Sequence, residues 1–164
     1  MNENKNMLDL IHSGEKNNFN GIVSHKSSSK IPFSGFLQNK GQLFQEEIKY
    51  YFSSSSLSVA FLNSKIRFTV NDSSNKLSIL ELTFVGSNDS EPQGMVKSLS
   101  MTNFFINGLS IANVPNYQEI LYANLYPNID LMYYFTNQGL KYEFIVKPGG
   151  NPDNIIIHSN KVMY

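Results

Sequence analysis

Ile129-Asp130-Leu131-Met132-Tyr133-Tyr134-Phe135-Thr136-Asn137-Gln138-Gly139-Leu140-Lys141-Tyr142-Glu143-Phe144-Ile145-Val146 reads as one chain segment folded back on itself. Pairing Phe135 with Leu140 and reading outward sets Tyr133 opposite Tyr142, Leu131 opposite Phe144 and Ile129 opposite Val146. All four pairs are apolar, and the other face carries Asp130, Met132 and Tyr134 against Lys141, Glu143 and Ile145. Side chains alternate between faces with period two, so an odd number of loop residues would destroy this agreement. The turn is therefore a four-residue loop at 136–139 or a two-residue loop at Asn137-Gln138. Each cross-strand pair contributes roughly 0.2–1 kcal/mol, which pins the register.

The same pattern extends outward. Upstream, residues 48–52 and 57–62 read as strands separated by the serine run 53–56, and Asn63-Ser64 turns the chain into residues 65–70. There Ile66, Phe68 and Val70 alternate with Lys65, Arg67 and Thr69, the mark of a strand wet on one side. A polar turn at 71–76 leads to a strand at 77–85, and 86–94 reads as a loop. Residues 95–106 and 120–126 are further strands, with a loop through Gly108 and Pro115 between them. Downstream, Pro148-Gly149-Gly150-Asn151-Pro152 is a turn and 155–158 begins another strand. No helical pattern of about 10–15 residues separates these strands, so parallel βαβ units are excluded. The expectation is an all-β domain over residues 31–164, an antiparallel β-sandwich. Residues 1–30, polar and rich in Asn, Ser and Lys, are expected to form a flexible leader.

Composition narrows the functional classes. Thirteen Lys and Arg balance thirteen Asp and Glu with no basic stripe, which argues against nucleic-acid binding by counterion release. Cysteine is absent, removing disulfides, thiolate metal sites and cysteine nucleophiles. No apolar run approaches the roughly 20 residues of a membrane-spanning helix. No signal peptide is visible in residues 1–30, so export requires a signal outside this chain or another route.

No catalytic motif and no cofactor-binding motif emerges. His12, His25 and His158 stand at neither helical nor strand ligand spacing, so no metal site is expected. The nucleophile elbow of serine hydrolases is missing. Gly149-Gly150 is followed by Pro152 rather than the Lys-Ser/Thr of a phosphate loop. Asp130, Lys141 and Glu143 project from one face of the hairpin and form a candidate polar surface cluster. Its functional reading is a pocket in which Lys141 keeps both carboxylates ionised; the alternative, which we favour, is a surface salt bridge on that face, with Glu143 the partner of Lys141 as its i, i+2 neighbour. Nine tyrosines raise the question of a sugar platform, with Tyr126 and Tyr134 as candidate ligand-contact aromatics. Asn71-Asp72-Ser73 and Asn88-Asp89-Ser90 are glycosylation-type triplets.

Four stretches together resemble one family. They are Phe36-Leu37-Gln38-Asn39-Lys40-Gly41-Gln42, Asn103-Phe104-Phe105-Ile106-Asn107-Gly108, and Tyr122 with Leu125-Tyr126-Pro127-Asn128-Ile129-Asp130-Leu131 and Tyr133-Tyr134. The fourth runs from Leu140 to Val146 and continues through Pro148-Gly149-Gly150-Asn151-Pro152 to Ile155. In this order they resemble a domain of unknown function at the N-terminus of bacterial and archaeal surface proteins with β-propeller (SBBP) repeats, and of some gliding-motility-type secreted proteins. Gln38 stands where that family usually has Glu, and Asn128 where it usually has Gly. The resemblance implies an extracellular or cell-surface location, a non-catalytic structural or interaction role, and a protein or surface glycan as partner. It supplies no catalytic residues. It also implies a truncated member, since the repeats that usually follow are absent from this chain. A carbohydrate-binding β-sandwich module is the alternative.

Overall fold

The computed structural model describes residues 35–71, 77–106 and 108–163, so the expected leader lies outside the described residues. Ten strands are present among the described residues: β1 (Phe36–Gln38), β2 (Tyr50–Ser53), β3 (Leu57–Leu62), β4 (Lys65–Asn71) and β5 (Leu77–Val85). They continue with β6 (Gln93–Ile106), β7 (Leu109–Tyr126), β8 (Ile129–Thr136), β9 (Gly139–Val146) and β10 (Ile156–Met163). A 3-10 turn, Pro152–Asn154, precedes β10. The domain is all-β, as expected, and every strand pair is antiparallel.

The hairpin that opened the sequence reading forms in the expected register, from Ile129 opposite Val146 to Phe135 opposite Leu140. Thr136 pairs with Gly139, leaving the two-residue loop Asn137-Gln138. Asn137 and Gln138 keep negative φ and Gly139 takes φ +112°, so the turn relies on a left-handed glycine after it rather than on a primed turn. Strands β3 and β5 also keep the bounds read from sequence.

Two separately bonded sheets are not what forms. All ten strands belong to one sheet, in the order β10-β5-β4-β3-β2-β1-β7-β8-β9 with β6 paired to β7. The sheet curls into a half-barrel. Rings meet across the curl: Phe61 of β3 lies 5.3 Å from Tyr133 of β8, and Phe84 of β5 lies 6.4 Å from Phe144 of β9. Alternation reports that a strand has one dry face. It does not report whether a second sheet or the far end of the same sheet dries it.

The inner core gathers Phe36, Val59, Phe61, Ile66, Ile120, Tyr122, Leu125, Ile129 and Leu131, all at most 1% exposed. A second, smaller cluster lies on the other face of β1–β3, where Leu43 and Ile48 of the 39–49 loop cover Tyr51, Ala60 and Leu62. Strand β3 is consequently buried on both faces.

Of the loop expected through Gly108 and Pro115, Gly108 does lie in the turn before β7, at φ +81°, but the residues from Leu109 through Pro115 start β7, an 18-residue strand. The turn-like residues are absorbed by an irregularity. Asn113 adopts φ +57°, its amide donates to Asn103 Oδ1 at 2.8 Å, and the register shifts between Thr102 and Phe104. A bulge tolerates residues that a regular ladder rejects.

Candidate functional site

Asn39 follows β1 and organises the loop that covers the outer cluster. Its Nδ2 donates to the carbonyls of Leu43, Gln45 and Ile48 at 3.4, 3.1 and 3.0 Å. Its Oδ1 accepts from the amides of Gly41 and Leu43 at 3.1 and 3.2 Å. Gly41 supplies the φ of +99° that closes the turn. Gln42 donates to the Gln38 carbonyl at 2.6 Å and to the Tyr51 hydroxyl at 3.2 Å. Burial pushes the Tyr51 phenol up to about 12, against the small opposing effect of the Gln42 bond. The side chains of Asn39 and Gln42 are thus committed to the fold.

A second knot joins the β7–β8 turn to the segment after β9. Asn128 takes φ +59°, the left-handed conformation its side chain tolerates. Asp130 Oδ1 accepts from the Asn124 amide and the Lys147 ammonium, each at 2.8 Å, and Oδ2 lies 2.7 Å from Lys147 Nζ. Burial raises the Asp130 carboxyl, but Lys147 and the Asn124 amide outweigh it and hold it below the usual carboxylate range. The Lys147 amide donates to the Asn128 carbonyl at 2.8 Å, and a Cβ on Gly150 would stand 2.8 Å from that same oxygen. The Pro-Gly-Gly segment is a close backbone packing site.

Asp130, Lys141 and Glu143 therefore share a sheet face without forming the expected cluster. Asp130 is 7% exposed and paired with Lys147, whereas Lys141 stands opposite Tyr134 and Glu143 opposite Met132, both exposed. Lys147 lies outside the strand pattern, just past β9, and only the returning chain brings it to Asp130. Among the described residues no ion pair joins Lys141 to Glu143. The sheet's triple ion cluster lies elsewhere: Glu81 meets Lys65 at 3.0 Å and Arg67 at 2.9 Å. Strand neighbours at i, i+2 on β4 carried that signal, but their partner on β5 required the register.

Tyr126 is withdrawn as a ligand contact. It is 1% exposed, and its hydroxyl donates to the Ile156 carbonyl at 2.9 Å and accepts from the Ile156 amide at 3.3 Å. Tyr122 is likewise spent, donating to the Leu62 carbonyl at 2.8 Å. Tyr134 is half-buried on the outer face of β8. Asn88 of the second glycosylation-type triplet donates its side-chain amide to the Asn124 carbonyl at 2.7 Å. His158 is exposed on β10, opposite Thr83.

Two surface features remain. One is a polar cleft of about 370 Å³ lined by Gln38, Glu46, Lys49, Tyr50, Glu91 and Gln93. Lys49 and Glu91 face each other across it at 3.6 Å, and the Tyr50 ring is held edge-on to Tyr117 at 5.5 Å. Tyr117 in turn lies so close over Gly94 that a Cβ there would meet the ring at 2.5 Å. The other is the distal part of the β6–β7 hairpin, where Leu99, Met101, Phe105 and Leu109 are 44–103% exposed. Among the described residues no group of three or more metal-ligating side chains assembles, no buried polar side-chain atom lacks a partner, and no helix is long and apolar enough to cross a membrane.

A family model described as a domain of unknown function (DUF7948) matches residues 36–163. No curated protein and no solved structure matches the chain.

Proposed function

The chain belongs to the family described as a domain of unknown function (DUF7948), and on that premise we propose that it is a non-catalytic interaction module of a secreted or cell-surface protein of the β-propeller-repeat type. One observation carries the reading. The polar side chains of the Asn39 and Asp130 knots hold the fold together, while large apolar residues of the β6–β7 hairpin are left facing solvent. Exposed apolar surface of this kind marks contact with another macromolecule. The test is protease shaving of intact cells that produce the native protein. External protease removes the domain if the reading holds; protection in intact cells together with cleavage after lysis would refute surface display.

The 370 Å³ cleft favours a second reading, binding of a surface glycan. Amide, carboxylate and amine groups beside one phenol ring match the hydroxyl-rich edges of a sugar. Glycan-array binding that disappears in Tyr50→Ala supports this reading, and an array without signal removes it.

A further inference from the structure

The polar side chains around the cleft between Tyr50 and Gln93 differ from the other polar clusters of the domain in being uncommitted. Asp130 and Glu81 spend their carboxylates on cations at 2.7 to 3.0 Å. In the cleft, Lys49 and Glu91 stand 3.6 Å apart, too far for a hydrogen bond. Glu46 has no ion-pair partner among the described residues. The side chains of Gln38, Tyr50 and Gln93 make no hydrogen bond among them either. Two carboxylates face one ammonium, so the lining carries an excess of one negative charge.

Both walls are fixed before any ligand arrives. Glu46 lies in a turn closed by the Ile48 amide, which donates to the Gln45 carbonyl at 3.1 Å. Asn39 Nδ2 holds the Gln45 and Ile48 carbonyls on either side of it. Glu91 follows Ser90, whose amide donates to Ser64 Oγ at 3.2 Å and whose hydroxyl donates to the Ala123 carbonyl at 3.0 Å. Buried Ile48 and Pro92 complete the lining. Groups held in place in this way spare a ligand the cost of ordering them. The volume of about 370 Å³ falls among small-molecule sites, which span roughly 300–1,000 Å³.

We propose that this cleft binds an amino sugar through its protonated amine. This rests on the glycan reading of the cleft and names the class of sugar. An ammonium brings three donors and no acceptor, which suits a lining rich in carboxylate and amide oxygens, and the Tyr50 ring attracts a cation to its face. A neutral sugar leaves the excess charge unanswered, and an acidic one sets like charge against Glu46 and Glu91. The test is calorimetric titration of the full chain, at about pH 6 where carboxylates and amines are both charged, with chitosan tetrasaccharide, its N-acetylated counterpart chitin tetrasaccharide, and an oligogalacturonate. The free amine is expected to bind about fivefold more tightly than the acetylated sugar, and the oligogalacturonate not at all. Glu46→Gln is expected to weaken chitosan binding about threefold with the melting temperature unchanged, because its exposed carboxylate supports nothing in the fold. Lys49→Gln is expected to strengthen it, since the internal cation no longer competes for Glu91. Equal binding of the free and acetylated sugars overturns the proposal, as does no binding of chitosan, or chitosan binding indifferent to both variants. A glycan-array signal lost in Tyr50→Ala, but carried by neutral or acidic sugars, would sink this inference and leave the glycan reading standing.

Discussion

Asn39 concentrates five hydrogen bonds on one half-buried side chain, and removing it takes a partner from the Leu43 and Ile48 carbonyls and from the Gly41 and Leu43 amides. Asn39→Ala is expected to cost roughly 2–3 kcal/mol, read from urea unfolding midpoints. Asn39→Asp keeps the two accepted bonds but sets a carboxylate oxygen against three carbonyls, so it is expected to cost at least as much as Asn39→Ala. Asp130→Asn leaves the half-exposed Lys147 ammonium able to rehydrate, and a loss of about 1–3 kcal/mol is expected. Both residues lie in stretches that resemble a family, yet their roles were not legible from those stretches. A side chain's bonds depend on where distant backbone returns, and Lys147 reaches Asp130 only because the segment after β9 folds onto the Asn128 turn.

The β8–β9 hairpin was legible down to its register, because four apolar pairs agree with one loop length and with no odd-numbered alternative. Its turn depends on Gly139 at φ +112°, where an added Cβ would find no atom within 4 Å. Gly139→Ala therefore isolates backbone strain, and an expected loss of about 1–2 kcal/mol is measurable by thermal melts. Gly94 presents the opposite case. Its φ is ordinary, but Tyr117 occupies the space above it, so Gly94→Ala is expected to cost about 1–3 kcal/mol through overpacking. If Gly94→Ala proves neutral while Gly139→Ala does not, the ring is not held over the strand. Strand β7 was the element least legible in advance. Its Asn113 and Pro115 are turn-type residues; a bulge opposite Asn103 takes up Asn113, and Pro115 sits where β7 has β6 as its one strand partner among the described residues.

For the whole molecule, the ionisable groups set a pH window. Burial raises the Glu81 and Asp130 carboxyls, but their cationic partners outweigh it and leave both depressed. A depressed carboxyl contributes stability above its unfolded value of about 4, and that contribution is lost as pH falls through the folded value. Buried Tyr51 and Tyr122 are raised, so their contribution is intact below about pH 10 and lost as pH rises through about 12 for Tyr51. Melting temperature should be flat between about pH 5 and 10 and fall on both sides, with a shallower acid limb in Asp130→Asn. An unchanged acid limb in that variant would remove Asp130 from the account. Alternation, turn residues and apolar pairing determined an antiparallel all-β chain and most of its strand bounds, because these depend on neighbours within a few residues or across one turn. Tertiary structure alone decided that one sheet curls to bury its own face, that Tyr126 is sealed against β10 rather than offered to a ligand, and that the distal β6–β7 hairpin stands clear. Those outcomes depend on which distant strand shares each edge, and the accumulated twist and bulges that settle this leave no local mark.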